Sequence, residues 1–379
     1  MTQPIRSADI FCRVIDNFGD AGVCWRLSRL LAHAGLIVRL WIDDLARLHR
    51  LRPQLSTDQP QQALDGFVVM HWTDDDRAAN DYQPADLVIE AFACRMPDAM
   101  IERIAAANPR PAWINLEYLT AERWARDTHG LPSPHPRLPL TQYFFFPGFA
   151  AGSGGLLRES DLAKERASFD AAGRESFLER LNAHVPQDAL LVSLFCYPQA
   201  PLEPLLESMR RGPRVMCLVP EGVASEAVQA IIGHNARAGA EVTQGQLTLR
   251  VIPFLDPDDY DRLLWSCDVN FVRGEDSLVR AHWAGRPFIW QLYAQEDHAH
   301  QTKLDAFLAD FCDGLAEGDA RLVRGFWHAW NGDSAAVSDW PSLCAALPRL
   351  AQHHQRWALQ VASAGELSAA IVEFAAKIG

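Results

Sequence analysis

The sequence has no CxxC pair, no HExxH motif, no GxGxxG after its first apolar run and no excess of basic residues. It also has no apolar stretch near the roughly 18 residues of a membrane-spanning helix. Each absence removes a class of function. Its 8 cysteines are scattered, mostly inside apolar runs such as VMCLV, which argues against a zinc cage or disulfide framework and for reduced, buried thiols. Lys+Arg 35 against Asp+Glu 48 gives a net charge of -13, the wrong sign for holding a phosphate backbone by counterion release. Nucleic acid is therefore not an expected partner. With no signal-like apolar core near the start of the chain, no membrane partner is expected either, and the protein is assigned to the cytoplasm.

What is present suits a folded α/β protein. The 379 residues are 49% hydrophobic and 22% charged, and that length exceeds one ordinary core. Short apolar runs alternate with segments of helical period, the pattern of βα units around parallel sheets. In the first half the candidate strands are residues 10–15, 37–42, 67–72, 87–92, 112–116 and 143–146. A polar helical stretch over 161–182 follows, and the alternation restarts with LLVSLF, then 215–219, 247–252, 269–272 and 288–290. The expectation is a Rossmann-like domain over 1–184, a second over 185–360, and a C-terminal helix in 361–379 that closes the core or crosses back to the first domain. In such sheets ligands sit beyond the carboxyl ends of the strands, so the residues just after strands carry the most weight.

Two of these turns stand out. After the first strand come Asp16, Asn17, Phe18, Gly19 and Asp20, then a helix. A dinucleotide-binding turn would be rich in glycine, and two carboxylates there would repel a diphosphate. Either Asp16 and Asn17 make a turn and Asp20 caps the helix, or acids at a site mouth hold a cation or take a proton. In the second half VNFV leads into Arg273, Gly274, Glu275, Asp276 and Ser277 at a helix start. Free backbone N–H groups and a positive dipole end suit an anion there, with Arg273 adding a charge-assisted bond. The plain alternative is an N-cap by Asp276 or Ser277 with an Arg273–Glu275 pair. Phe195, Tyr197, Phe254 and Tyr293 follow strands and either stack on a ligand or fill the core. His298, His300, His353 and His354 are read as surface or helix residues, and the glycines 152–155 as a hinge or loop.

The chain resembles a known family through DNFGDAGVCWRLSRLLA, EAFACRMP, INLEYLTAERW, YFFFPGF with SGGLLRE, SLFCYP, LLWSCDVNFVRGEDSLVRAHWAGRPF and HAHQTKLDAF. These are similar, in order and over nearly the whole length, to the bacterial protein-arginine rhamnosyltransferases that modify translation elongation factor P. The resemblance implies a GT-B fold, in which two facing Rossmann-like doubly wound domains have a cleft between them. It implies inverting, metal-independent transfer of L-rhamnose from dTDP-β-L-rhamnose to one arginine of elongation factor P, which helps ribosomes through polyproline stretches. No cofactor is implied. By the family's motif Asp20 is the general base, Asp16 its essential neighbour and Glu275 the second-domain carboxylate required for activity. The implied donor site comprises Asn17, Phe18, Gly19 and Asp20 with Phe195, Tyr197, Phe254, Leu255, Arg273, Gly274, Glu275, Asp276 and Ser277.

Glu117, Tyr118 and Glu122 are candidates for the acceptor side. One departure is PFLDPD, which puts Pro257 where relatives carry a glutamine near the nucleobase. Three other readings compete. A GT-B enzyme with a small-molecule or lipid acceptor shares every feature of composition. An NAD-dependent oxidoreductase lacks its glycine motif. A catalytically silent binding module sits poorly with the presence of Asp16, Asp20 and Glu275.

Overall fold

The structure is a computed structural model that describes residues 4–16, 18–73, 81–233, 236–294, 299–332 and 339–379. The chain divides into two compact units, Met1–Glu159 with Val361–Gly379, and Ser160–Gln360.

The first unit carries a sheet of β1 (Ser7–Cys12), β2 (Ile37–Ile42), β3 (Gln61–Leu64), β4 (Phe67–His71), β5 (Leu87–Ala91), β6 (Ala112–Leu116), β7 (Pro132–Pro134) and β8 (Thr141–Phe145). Their order is β3-β4-β2-β1-β5-β6-β8-β7. The inner pairs are parallel, while β3 on β4 and β7 on β8 are antiparallel edges. The chain builds outward from β1 on one side, then returns to add β5 on the other. The switch point therefore lies at the carboxyl ends of β1 and β5.

The second sheet has β9 (Leu190–Leu194), β10 (Val215–Pro220), β11 (Glu241–Gln244), β12 (Leu247–Ile252), β13 (Val269–Arg273) and β14 (Phe288–Gln291). The order β11-β12-β10-β9-β13-β14 puts its switch point at β9 and β13. Fully buried strands such as LVIEA and VMCLVP are nearly continuous apolar runs, as parallel strands covered on both faces require.

Two expectations are corrected. The first strand is residues 7–12, not 10–15. Asp9 sits at its middle, wholly buried, and a charge there hides the strand from an apolar pattern. Its carboxylate accepts from Arg39 Nε at 2.6 Å, Trp41 Nε1 at 3.0 Å, the Tyr82 hydroxyl at 3.0 Å and the Ala85 N–H at 3.0 Å. That set of donors offsets the cost of burying the charge. Burial, and then the Asp9 charge, push the Tyr82 phenol well up.

The domain boundary also lies earlier than residue 184. Helices Leu162–Ser168 and Ala171–Arg180 belong to the second unit. Phe177, Leu178 and Leu181 pack in one core cluster with Leu191, Met216 and Leu218, and Arg166 Nη1 donates to the Trp283 carbonyl at 3.0 Å. The closing helix Leu367–Ile378 belongs to the first unit. Its Phe374 ring meets Phe145 at 5.5 Å, and Leu156 bridges to Glu366. A Cβ on Gly155 would lie 2.5 Å from the Gly365 carbonyl oxygen, so the glycines 154–155 serve this close approach.

His300, His353 and His354 stand in helices, one of the two placements expected for them, and are buried; His298 lies outside the described residues. His282, His353 and His354 line an aromatic layer with Phe288, Phe307, Phe311 and Trp357. No helix among the described residues is long and apolar enough to cross a membrane.

Burial lowers all three of these histidines, His282 to about 4. The unfolded chain then binds protons that the folded one refuses, so stability is full above the unfolded pKa of 6.5 and falls as pH drops. For His282 alone the loss between neutrality and pH 4 is about 3 kcal/mol. Urea denaturation of the second unit's aromatic signal is expected to show falling stability between pH 7 and 5. A flat profile there contradicts the assignment.

Candidate active site

The first switch point is built by Asp20. Helix Gly19–His33 begins within three residues of Asp16, and its N-cap residue, Phe18, makes no side-chain cap bond. Asp20, in the first helical turn and 2% exposed, turns its carboxylate back instead. Its Oδ2 accepts from the Ile15 N–H at 2.8 Å and the Asp16 N–H at 2.9 Å. The Gly19 N–H donates to the Asp16 carbonyl at 2.6 Å. An acid at a helix start is favoured by the dipole, and this one pairs two turn amides. A hydrogen bond with Cys24, then burial and the nearby charges of Cys24 and Asp20, hold the neighbouring Cys12 thiol well up. Asn17 lies outside the described residues.

The β5 turn meets the β1 turn. Arg13 Nε donates to the Cys94 carbonyl at 3.1 Å. Phe92, Ala93 and Arg95 all hold positive φ, at 58°, 48° and 56°, a costly run for residues with side chains. The Phe92 ring stacks on Tyr118 at 4.5 Å and 13°, which brings the turn after β6 against the turn after β5. Beside it, Glu117 accepts from Asn115 Nδ2 at 2.6 Å. Glu122 stands at the start of a short helix further along without a side-chain cap bond, and accepts from the Thr120 hydroxyl at 3.0 Å, a local bond that does not join it to this group. Arg13 and Phe92 were not among the sequence candidates, though each stands in or beside a motif (FCRVIDNFGD, EAFACRMP) that pointed to them.

The second switch point converges on Arg273. Its guanidinium carbon lies 4.5 Å from the Phe195 ring centroid and 4.7 Å from that of Tyr197, and Nη1 donates to the Cys196 carbonyl at 3.1 Å. The loops after β9 and β13 are thus clasped through one cation held by two aromatic rings. Tyr260 extends the layer, 5.6 Å from Phe195, and Tyr293 meets Tyr197 at 5.6 Å.

Gly274 adopts φ 62°, the left-handed conformation glycine tolerates. Its N–H donates to the Gln291 carbonyl at 3.0 Å, and its carbonyl accepts from Trp290 Nε1 at 2.8 Å. The Ser277 hydroxyl accepts from the Arg273 N–H at 3.0 Å and donates to the Arg273 carbonyl, so Ser277 closes the turn with its side chain. Glu275 and Asp276 open helix Asp276–Ala284, whose N-cap, Glu275, makes no side-chain cap bond. Glu275 does not pair with Arg273 as one reading allowed; it accepts from Lys303 Nζ at 2.8 Å.

Phe254 and Leu255 precede helix Pro257–Ser266. Asp256 caps that helix by accepting from the Asp259 N–H at 2.8 Å, and Pro257 occupies its start, a position where the missing N–H costs nothing. The proline therefore supplies neither amide nor backbone donor. Among the described residues no group of three or more His, Cys, Asp or Glu could hold a metal ion.

An α/β fold with two such sheets, an acid-lined strand end in one unit and a cation-clasped helix start in the other, is that of a GT-B glycosyltransferase. The solved structure described as the structural basis for EarP-mediated arginine glycosylation of translation elongation factor EF-P is similar at TM-score 0.67 and 32% identity, covering 97% of this chain and 98% of that one. The protein-arginine rhamnosyltransferase of Pseudomonas putida is 43% identical over 97% of both chains. That of Pseudomonas aeruginosa is 42% identical over 97% of this chain and 98% of its own. Residues 8–376 match the family described as Elongation-Factor P (EF-P) rhamnosyltransferase EarP. The chain belongs to that family.

The packing of the first turn carries a prediction. A Cβ on Gly19 would lie 2.5 Å from Asp16 Oδ2. Gly19→Ala is expected to turn the Asp16 carboxylate aside and lower transferase rate about 10- to 100-fold, the usual cost of a misplaced group, with little change in melting temperature. Wild-type rates in this variant contradict the geometry.

Proposed function

We propose that this protein transfers L-rhamnose from dTDP-β-L-rhamnose to an arginine side chain of translation elongation factor P, with inversion and without a metal ion. The observation that carries this reading is the opposite chemistry of the two switch-point turns: two carboxylates at Asp16 and Asp20, a clasped guanidinium and a helix start at Arg273 to Ser277. Membership of the EarP family supports it. A positively charged acceptor suits the first turn and a diphosphate suits the second.

The reaction forms a bond from a guanidine nitrogen to the anomeric carbon and breaks the bond from that carbon to the diphosphate oxygen. The electron pair leaves with dTDP, and the proton from nitrogen goes to the Asp20 carboxylate. Arginine is a poor nucleophile because its guanidinium has a pKa near 13; removing the proton fully at pH 7 costs about 8 kcal/mol. Carboxylates nearby raise that cost by favouring the charged form. Asp20 therefore orients one N–H and accepts the proton as the C–N bond develops, while Asp16 holds another edge of the guanidinium. Arg273 and the N–H groups at Asp276 and Ser277 stabilise the departing charge, with Phe195, Tyr197, Phe254 and the backbone near Leu255 around the nucleotide. Glu117 and Tyr118 are assigned to the acceptor side. Attack opposite the leaving group turns a β-donor into an α-rhamnosyl arginine. In the cell, the modified factor would relieve ribosomes stalled at polyproline.

Purified protein with elongation factor P and dTDP-rhamnose, beside UDP- and GDP-sugars, is expected to add one deoxyhexose to a single arginine, read by mass spectrometry. No addition to the factor, or faster transfer to a small molecule, overturns the acceptor. Full activity in EDTA is expected; loss restored by a divalent ion overturns the metal-free step.

Asp20→Asn is the informative base variant. Its amide carbonyl still accepts from Ile15 and Asp16, whereas alanine would strand two amides at a cost of about 1–3 kcal/mol each. It is expected to lose at least 100-fold in rate while binding dTDP within about threefold of wild type. Near-normal turnover in Asp20→Asn refutes the base assignment.

A further inference from the structure

Glu275 stands at a helix start but does not cap it. Its carboxylate is held from another element, by Lys303 Nζ at 2.8 Å, and the pair is largely shielded, at 21% and 15% side-chain exposure. Lys303 lies in the second turn of helix Ala299–Phe311. The dipole at that end disfavours a cation. On its own helix the positions three and four away are His300, Ala306, Ala299 and Phe307, so no intrahelical acid accounts for it.

The packing fixes Lys303 against the turn. Phe307, one helical turn on, stacks on Trp327 at 5.5 Å and 13° and meets Trp290 at 5.5 Å. Trp290 in turn donates from Nε1 to the Gly274 carbonyl at 2.8 Å. The helix that carries Lys303 and the turn that carries Glu275 are thereby locked through one aromatic layer.

The electrostatic need is plain. A diphosphate bound at this turn faces the Glu275 carboxylate, and like charges at close range oppose binding. A shielded cation on Glu275 cancels that charge and sets the direction of the carboxylate at the same time.

We propose that Lys303 is a positioning residue of the donor site, fixing Glu275 and neutralising it so that a nucleoside diphosphate binds beside it. The proposal rests on the reading of the second unit as the nucleotide-sugar site. Lys303 acts through Glu275 rather than on the donor directly.

The test uses the full chain with Lys303→Met and Lys303→Arg, alone and combined with Glu275→Gln. The binding of dTDP is measured by calorimetry, and kcat and KM with dTDP-rhamnose and elongation factor P. Lys303→Met is expected to weaken dTDP at least tenfold with an unchanged melting temperature, and Lys303→Arg to stay within threefold of wild type. In the Glu275→Gln background, where no charge remains to cancel, Lys303→Met should change dTDP affinity less than threefold. A wild-type affinity in Lys303→Met, or an equal tenfold loss in both backgrounds, overturns the role. If the wild-type protein itself fails to bind dTDP, the reading of the unit falls with it; if it binds and the lysine is silent, only the role of Lys303 falls.

Discussion

Turning a buried parallel strand directly into a helix leaves backbone donors that the sheet ladder no longer pairs and the helix cannot reach, and a buried unpaired donor is costly. Each unit meets that constraint with one side chain at its switch point. In the first, Asp20 takes the Ile15 and Asp16 amides on a single oxygen. In the second, the Ser277 hydroxyl spans the Arg273 N–H and carbonyl. The choice of side chain then sets the chemistry. An acid leaves a carboxylate at the first turn; a neutral hydroxyl closes the second, where Arg273 lies against two aromatic rings.

Buried ion pairs stand behind both turns. Asp9 anchors β1 to Arg39 on β2, and Asp261 on helix Pro257–Ser266 holds Arg280 on helix Asp276–Ala284, with Nε to Oδ1 at 2.8 Å. Such pairs contribute little net stability against an apolar alternative, but removing one partner is costly, often 3–5 kcal/mol or roughly that. Their value here is registry. The Asp261–Arg280 pair links the helix after Phe254 and Leu255 to the helix that starts at Asp276.

Much of this was legible from residues alone because central parallel strands are apolar runs bounded by turns; β2 and β12 coincide with their expected spans. What escaped has physical reasons. Strands β3, β7 and β11 are short antiparallel edges with exposed or polar residues, which no apolar run marks. The charge of Asp9 masked β1. Helices Leu162–Ser168 and Ala171–Arg180 precede the second sheet in sequence yet pack into its core, a fact of tertiary contact rather than of local pattern. At the site, residue types after strands pointed to Asp16, Asp20 and Arg273, but partners across elements did not announce themselves. Lys303 is 28 residues from Glu275 in sequence, and nothing in its helix hints at the pair.

The bonds that shape the first turn also constrain the base role proposed for Asp20. A carboxylate that already accepts two amide hydrogens is held in place by them. Against a guanidinium with a pKa near 13, such a group gains nothing from early proton removal. As the proposed base it would become effective once bond formation to carbon has made the nitrogen acidic, and at that stage an ordinary carboxylate suffices. The amide bonds, meanwhile, hold one oxygen of that carboxylate against the turn. If Asp20 is the proposed base, rigidity rather than basicity is what the local fold contributes there.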